Sequence, residues 1–453
     1  MLRSVLQRAG EDRSVRASLL YVSSGILVQS VALILSPLWT RAMSQEEFGI
    51  IAVVQPIAIF VATIAGLGLQ NGVARLVHDE PRGSRGQLDI AKSVIAFQLT
   101  GLIAVLFVGL VLIPPLETPL QNLLGFPPTP YLRLALVGAF LTAGAATLTQ
   151  TSQALELPWP VFWSRLGESG LRGGLIVALV VFGGMQGSGM LIARAGGAAA
   201  MAFVLVVGVR AFATGVFRRG IIRGALRFSL PLLPYQLSAL LLDGADRIIL
   251  NEFHGEASVA PYALSYAVGG GGMLLIGASV LRAEAPTFYQ AMRNGEHALA
   301  GKRVILRIEV LALIAIGLNV LGGPVIELVY DTRYASSAAL MPLIVSGLFF
   351  RCVFSFKNFT LMSRKRTALS SGITVVTALA NLGLNFAMIP VWGASGAAIA
   401  TLVAYALQAV VGTIVERRLA PVPQHLERLA LSSAGVVASA VVAHALLQPL
   451  VAN

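Results

Sequence analysis

The stretch Thr40-Arg41-Ala42-Met43-Ser44-Gln45-Glu46-Glu47-Phe48-Gly49 closes the first apolar run of the chain. It has a counterpart near mid-chain, Asp246-Arg247-Ile248-Ile249-Leu250-Asn251-Glu252-Phe253-His254-Gly255. Each copy sets an arginine at the end of a hydrophobic run, a glycine eight positions on, and then another apolar run. Arg41 and Arg247 lie 206 residues apart, as do Gly49 and Gly255. At 206 or 207 residues, Gly187 also faces Gly393, Arg75 faces Arg282, Gly189 faces Gly396 and Arg210 faces Arg417. A single match of this kind arises by chance. Several in chain order at nearly one spacing indicate an internal duplication, so the chain reads as two related halves.

The material around these stretches is apolar. Of 453 residues, 56% are hydrophobic and 12% charged, with a mean hydropathy of +0.79. A soluble domain is about a quarter charged. Runs of about 20 apolar residues recur end to end, each long enough to cross roughly 30 Å of hydrocarbon as a helix. The alternation of an outer-membrane barrel is absent. The fold class is therefore an all-α polytopic membrane protein. The net charge of +12 would suggest nucleic acid in a soluble chain, but here the cations lie in short links between spans, where they orient the protein. The one cysteine, Cys352, excludes an intrachain disulfide. In residues 1–17, Arg3, Arg8, Arg13 and Arg16 accompany apolar residues at helical spacing. That pattern suits an interfacial cytoplasmic helix rather than a cleavable leader.

Thirteen spans are read between residues 18 and 451. With the N-terminus in the cytoplasm, the tail and even-numbered links carry about 24 Lys and Arg. The odd-numbered links hold about two, Arg41 and Arg333. A miscounted span would scramble that alternation. The domains expected are a segment 1–17, a six-helix lobe 18–217, a second six-helix lobe 218–418 and an extra C-terminal helix 419–453. Six spans per half is an even number, so both halves enter from one side and are related by a pseudo-two-fold along the membrane normal, with a path between them. The thirteenth helix has no counterpart in the repeat and is expected at the periphery. No link exceeds about 22 residues, too short for a soluble catalytic domain.

A charge near the middle of a span costs roughly 2.5–3.5 kcal/mol or more unless it faces protein or water. Arg165, Glu168 and Arg172 share one helical face in span five. Gln236, Asp243 and Arg247 do so in span seven, with Asp246 adjacent, and Arg351, Ser355 and Asn358 do so in span ten, with Lys357 off the stripe. Arg194 lies in span six, and Arg41, Arg75 and Arg282 sit at span ends. Two readings stand together. One is a water-filled cavity with a cationic wall for an anionic head group, and the other is structural pairing, Glu168 with Arg165 or Arg172 and Asp243 with Arg247. The candidate binding residues are Arg41, Arg165, Arg172, Arg194, Arg247, Arg351 and Lys357, with Glu168, Asp243 and Asp246 as coupling or ion-pair acids. Gly269 to Gly272 reads as close helix packing or a hinge, since no strand precedes it as in a phosphate loop. The five histidines lack metal-ligand spacing, and no nucleophile–base pair or nucleotide fingerprint appears. No enzyme, cofactor or metal is expected.

At these residues the chain resembles the multidrug/oligosaccharidyl-lipid/polysaccharide exporter superfamily, and within it the bacterial polysaccharide-biosynthesis, O-antigen-type flippases. The resemblance runs over about residues 15–418. It is carried by Thr40-Arg41 through Glu47-Phe48-Gly49, Phe228-Ser229-Leu230-Pro231-Leu232-Leu233-Pro234, Asp246-Arg247-Ile248-Ile249-Leu250, Val259-Ala260-Pro261-Tyr262, Pro286, and Asn381 to Asn385 followed by Pro390-Val391-Trp392-Gly393-Ala394-Ser395-Gly396. It implies two six-helix lobes working by alternating access. It further implies a polyprenyl-diphosphate-linked oligosaccharide moved from the cytoplasmic to the periplasmic leaflet of the inner membrane, with cationic cavity residues on the diphosphate. The implied partners are that lipid-linked glycan, the bilayer and the glycan polymerase and chain-length machinery; nucleic acid is not among them. The alternative is a cation-coupled drug or metabolite antiporter, although that branch relies on intramembrane acids and the excess here is basic.

Overall fold

The computed structural model describes residues 13–209, 214–419, 422–423 and 425–448. The expected segment 1–17 therefore falls largely outside the described residues, as does Arg210. Among the described residues every regular element is helical. The α-helices are α1 Arg13–Ala42, α2 Gln45–Gly66, α3 Leu69–Asp79, α4 Arg85–Leu112, α5 Glu117–Leu124, α6 Thr129–Ala154, α7 Pro158–Leu175 and α8 Gln186–Gly208. They continue as α9 Arg219–Ser229, α10 Leu233–His254, α11 Glu256–Ser265, α12 Gly271–Arg293, α13 His297–Val329, α14 Ser336–Ser363, α15 Thr367–Leu419 and α16 Leu426–Leu447.

Eleven described stretches are long and apolar enough to cross a membrane. Two features account for the difference from the thirteen read in the sequence. α15 is 53 residues long and breaks at Gly393, whose φ of 53° is open to glycine. A Cβ on Gly396 would collide with the Met388 carbonyl oxygen, so the second arm folds back on the first and α15 is two crossings. The fifth crossing is α7 with its π-helical continuation Ile176–Phe182. It is long enough, but Arg165, Glu168 and Arg172 disqualify it as apolar. The charges that make it a candidate for function hide it from a hydropathy count.

The described residues form two compact units. The first holds those of Met1–Met43 and Val54–Leu237, the second those of Ser44–Val53 and Ser238–Asn453. In the first unit α6 is the central helix, packed by α3, α4 and α8, while α7 lies between α8 and α1. The short amphipathic helices α3 and α9 bury Leu69, Val73, Val77 and Ala225 against Ile90 and Val94 of α4. The segment entering α9 is tied down by Asp89, which accepts from the Val216 amide at 2.8 Å and pairs with Arg218 at 2.9 Å.

In the second unit α14 is almost wholly buried among α13, α15 and α16. Glycines let its neighbours close in: a Cβ on Gly269 would meet Met341 Cγ at 2.6 Å, which is the packing role expected for that run. Gly49 and Gly255, the paired glycines of the duplicated stretches, both lie near the start of α11. Gly255, at φ 76°, separates α10 from α11. A Cβ on Gly49 would overlap the carbonyl oxygen of Glu256, so the first turn of α2 touches the start of α11 backbone to backbone. The start of α14 is tied to α11 as well, since Ser337 Oγ donates to the Pro261 carbonyl at 2.9 Å. The last helix, α16, long and apolar enough to cross, exposes most of its surface, as expected of a helix without a repeat partner. Its inner face is specifically docked. Asn319 Nδ2 of α13 donates to Ser439 Oγ at 2.9 Å, and His444 Nδ1 lies 2.7 Å from the Ala339 carbonyl.

Candidate functional site

Each unit has an intramembrane polar cluster of its own. In the first unit, α7 supplies Arg165, Glu168 and Arg172, and α8 supplies Arg194. Glycine decides how closely the two helices approach. A Cβ on Gly197 of α8 would lie 2.9 Å from Arg172 Cβ and 3.0 Å from the Glu168 carbonyl oxygen. Glu168 and Arg172 are one turn apart and pair at 3.1 Å, with side chains 22% and 24% exposed. They open onto a cavity of about 180 Å³ lined also by Gln55, Thr142 and Arg194, with Ile59, Leu134 and Leu191 as its apolar wall. The charged lining is thus two arginines and one acid. Arg165 lies two turns before Arg172 on α7, its guanidinium beside Gly25 of α1, and does not line this cavity. Arg41 is exposed at the end of α1.

In the second unit Asp243, Asp246 and Arg247 of α10 meet tyrosines from α11, the π-helical turn after it, and α15. The pairing differs from the expected one. Asp243 does not take Arg247, one turn along its own helix. It is gripped by the fork of Arg351 from α14, through a short Nη1–Oδ1 contact and an Nη2–Oδ2 contact of 3.3 Å. Two parallel contacts outcompete the single contact that a helix neighbour offers. Tyr405 OH joins the pair, 3.3 Å from Asp243 Oδ1 and 3.2 Å from Arg351 Nη1. Arg247 instead lies over the ring of Tyr266, its Cζ 5.1 Å from the centroid, and its buried Nε has no hydrogen-bond partner. Asp246 is 1% exposed and accepts from Tyr262 OH at 2.5 Å and from the Arg247 amide at 2.8 Å. Asp243 and Arg351 are 41% and 30% exposed, so a solute can reach them while Asp246 is sealed.

Lys357 stands apart from all of this. Its ammonium pairs at 3.0 Å with Glu416 of α15, the two side chains 4% and 2% exposed, and Thr360 Oγ1 donates to the same carboxylate at 2.6 Å. The expected cavity position for Lys357 is therefore corrected: it sits off the polar stripe of α14 and faces α15. A similar structural acid, Glu284 of α12, is 1% exposed and takes Arg303 at 2.8 Å and Arg307 at 2.9 Å. Sequence reading missed Glu284, Glu416 and the three tyrosines. Glu416 directly follows Val415 at the end of an apolar run and Glu284 lies three residues past Leu281, where both read as ordinary interfacial charges, and the tyrosines pass for core residues. Among the described residues no cluster of three His, Cys, Asp or Glu is placed to hold a metal ion.

The charge balance differs between the two clusters. Asp243 and Asp246 offset Arg247 and Arg351, so the second unit's cluster is neutral by formal charge. The excess of positive charge read from the sequence is found on α7 and α8 of the first unit, where Arg165, Arg172 and Arg194 accompany the single Glu168.

Residues 14–292 match the family described as polysaccharide biosynthesis protein. No curated protein matches the sequence. Solved structures agree in fold at low identity. An inward-facing multidrug resistance MATE family transporter of the MOP superfamily matches at a TM-score of 0.72 and 15% identity, over 88% of this chain and 97% of the other. A MOP superfamily transporter from Pyrococcus furiosus Vc1, described as having a binding pocket of reversed polarity that suggests a different function, matches at 0.64 and 15%, over 90% and 95%. A point mutant of the Vibrio cholerae MATE transporter VcmN matches at 0.60 and 15%, over 92% and 98%. Identity this low speaks for the fold alone.

Proposed function

We propose that this chain, which belongs to the polysaccharide biosynthesis protein family and has the fold of MOP-superfamily transporters, is a flippase. It moves polyprenyl-diphosphate-linked oligosaccharide from the cytoplasmic to the periplasmic leaflet of the bacterial inner membrane, with its N-terminus in the cytoplasm. The observation that carries the reading is the first unit's cavity, whose charged lining is two arginines and one acid within helices that cross the membrane. A cation excess in low dielectric, all of it in planar guanidinium form, suits a diphosphate. Gln55 and Thr142 offer further donors to phosphate or sugar oxygens. A membrane potential favours outward movement of such an anion by about 2.3 kcal/mol per charge per 100 mV. The glycan polymerase and chain-length machinery would then act on what the flippase delivers.

The test is transport of a lipid-diphosphate sugar in proteoliposomes under an imposed potential. Arg172→Ala and Arg194→Ala should each abolish transport at unchanged protein level. Arg→Lys should keep part of it, because a point cation still binds phosphate but loses the fork. Full transport by both alanine variants would sink the cationic-cavity reading. The antiporter reading has one feature in its favour, the intramembrane acids Asp243 and Asp246. Both are engaged, by Arg351 and by Tyr262, rather than held open for a cation. The same proteoliposomes decide the matter: dependence on a pH or sodium gradient would favour the antiporter.

A further inference from the structure

Where α12 ends, α13 begins and α14 ends, the second unit holds a second cavity, of about 550 Å³. Its lining is Tyr289, Met292, Arg293, His297, Met362, Ser363 and Arg364. Arg293, the last residue of α12, and Arg364, just past the end of α14, both line this space, and no carboxylate does. The buried acid of α12, Glu284, is already taken by Arg303 and Arg307. Glu296 precedes α13 but is exposed and does not line the cavity. His297, the first residue of α13, does line it; the N-terminus of that helix is offset by the C-terminal ends of α12 and α14 at the same space, so the two arginines supply the attraction for an anion. Part of the lining is apolar. Met292, Met362 and the ring of Tyr289 form it, and Tyr289 rests 5.8 Å from the ring of Phe359.

We propose that this cavity binds a phosphate group, with Arg293 and Arg364 on its oxygens. The arginines match the charge and the planar geometry of phosphate oxygens. The methionines and Tyr289 suit the glycerol and first methylenes of a phospholipid, and basic pockets at helix ends are where anionic headgroups settle. The orientation proposed above puts these helix ends at the cytoplasmic surface, where such headgroups lie. A free phosphate would use the same arginines and leave the apolar wall unused. The site is separate from the transport cavity, and its test reads binding rather than transport, so the two readings stand or fall independently.

The experiment uses the full chain in nanodiscs. Native mass spectrometry counts retained phosphatidylglycerol against phosphatidylcholine, and thermal shift measures stabilisation by inorganic phosphate. The wild type should retain phosphatidylglycerol selectively, and Arg293→Gln/Arg364→Gln should weaken retention roughly tenfold or more for each arginine lost. Arg219→Gln/Arg223→Gln on α9 removes the same charge elsewhere and should change nothing. If the double variant does not fold, Met362→Glu places a carboxylate in the lining with both arginines kept, and should also weaken lipid retention by repelling the headgroup and pairing with the arginines. Stabilisation by inorganic phosphate that disappears in these variants, without lipid retention, would assign the same site to free phosphate. Cavity variants that respond to lipid and phosphate as the wild type does overturn the proposal.

Discussion

Replacing Lys357 with methionine separates a structural cation from a substrate-binding one. Lys357 and Glu416 are 4% and 2% exposed and 3.0 Å apart. Without the ammonium, the carboxylate keeps only its contact with Thr360 Oγ1. Breaking a buried pair by removing one partner costs about 3–5 kcal/mol, because the remaining charge has neither water nor a counter-charge. That is roughly a hundredfold to several thousandfold in the folded-to-unfolded ratio. Lys357→Met should therefore melt well below the wild type in detergent and reach the membrane in lower amount. Replacing both partners, as Lys357→Met/Glu416→Leu, removes the orphan charge, and such replacements are neutral or stabilising by about 1–4 kcal/mol. The double variant should regain the wild-type melting temperature and keep transport. Melting curves for the two single variants and the double close a mutant cycle, whose coupling should exceed about 2 kcal/mol. The reasoning fails if Lys357→Met melts like the wild type yet cannot transport, for Lys357 would then serve the substrate and not the fold.

Three further outcomes follow from other contacts. Gly49→Ala drives a methyl into a carbonyl oxygen of α11; α2 and α11 must separate, and the melting temperature of the purified protein should drop steeply, whereas Gly174→Ala, with open space around it, should be nearly silent. Arg351→Lys keeps the charge beside Asp243 but cannot reproduce the two-pronged contact, so transport in proteoliposomes should fall partway, and Arg351→Ala should fall further by stranding Asp243. A phosphatase fused after residue 453 should be active and a cytoplasm-only fluorescent fusion dark, since α16 is long and apolar enough to cross; the reverse result would make α16 interfacial.

Much of the fold was legible because the bilayer restricts the answers so severely. A chain that must satisfy every backbone group inside hydrocarbon has little choice beyond helices, and their length is set by bilayer thickness. Cation placement then checks the count independently of hydropathy. The site was only partly legible. Periodicity put Glu168 and Arg172 on one face, and they pair there because partners four apart are neighbours whatever the tertiary structure. The same rule failed for Asp243. Its partner is 108 residues away on another helix, and nothing along the chain marks Arg351 as the better match than Arg247. Lys357 failed for a related reason: an isolated cation in a span looks the same in sequence whether it faces a cavity or a buried glutamate.

That failure bears on how the duplicated halves divided their work. Arg41 and Arg247 occupy equivalent places in the repeat. Arg41 ended up exposed at a helix terminus, whereas the Arg247 guanidinium lies over the Tyr266 ring and its backbone amide donates to the sealed Asp246 carboxylate. Around Arg247 the second half added enough acid to cancel its own cations; around Arg172 the first half did not. A neutral, internally bonded cluster gains little from an incoming anion, since binding would first have to break contacts such as the Arg351–Asp243 fork. A cluster with surplus cations is relieved by one. If a phosphate-bearing substrate engages intramembrane charge in this protein, the first half is therefore where its charge is felt most. The second half is better suited to hold a fixed shape around α14. Exchanging the two characters tests this division. Glu168→Gln should leave the first cluster more cationic and tighten a diphosphate lipid in a binding assay, whereas Asp243→Asn should chiefly destabilise the second unit. A diphosphate affinity that rises with Asp243→Asn and not with Glu168→Gln would assign the roles the other way round.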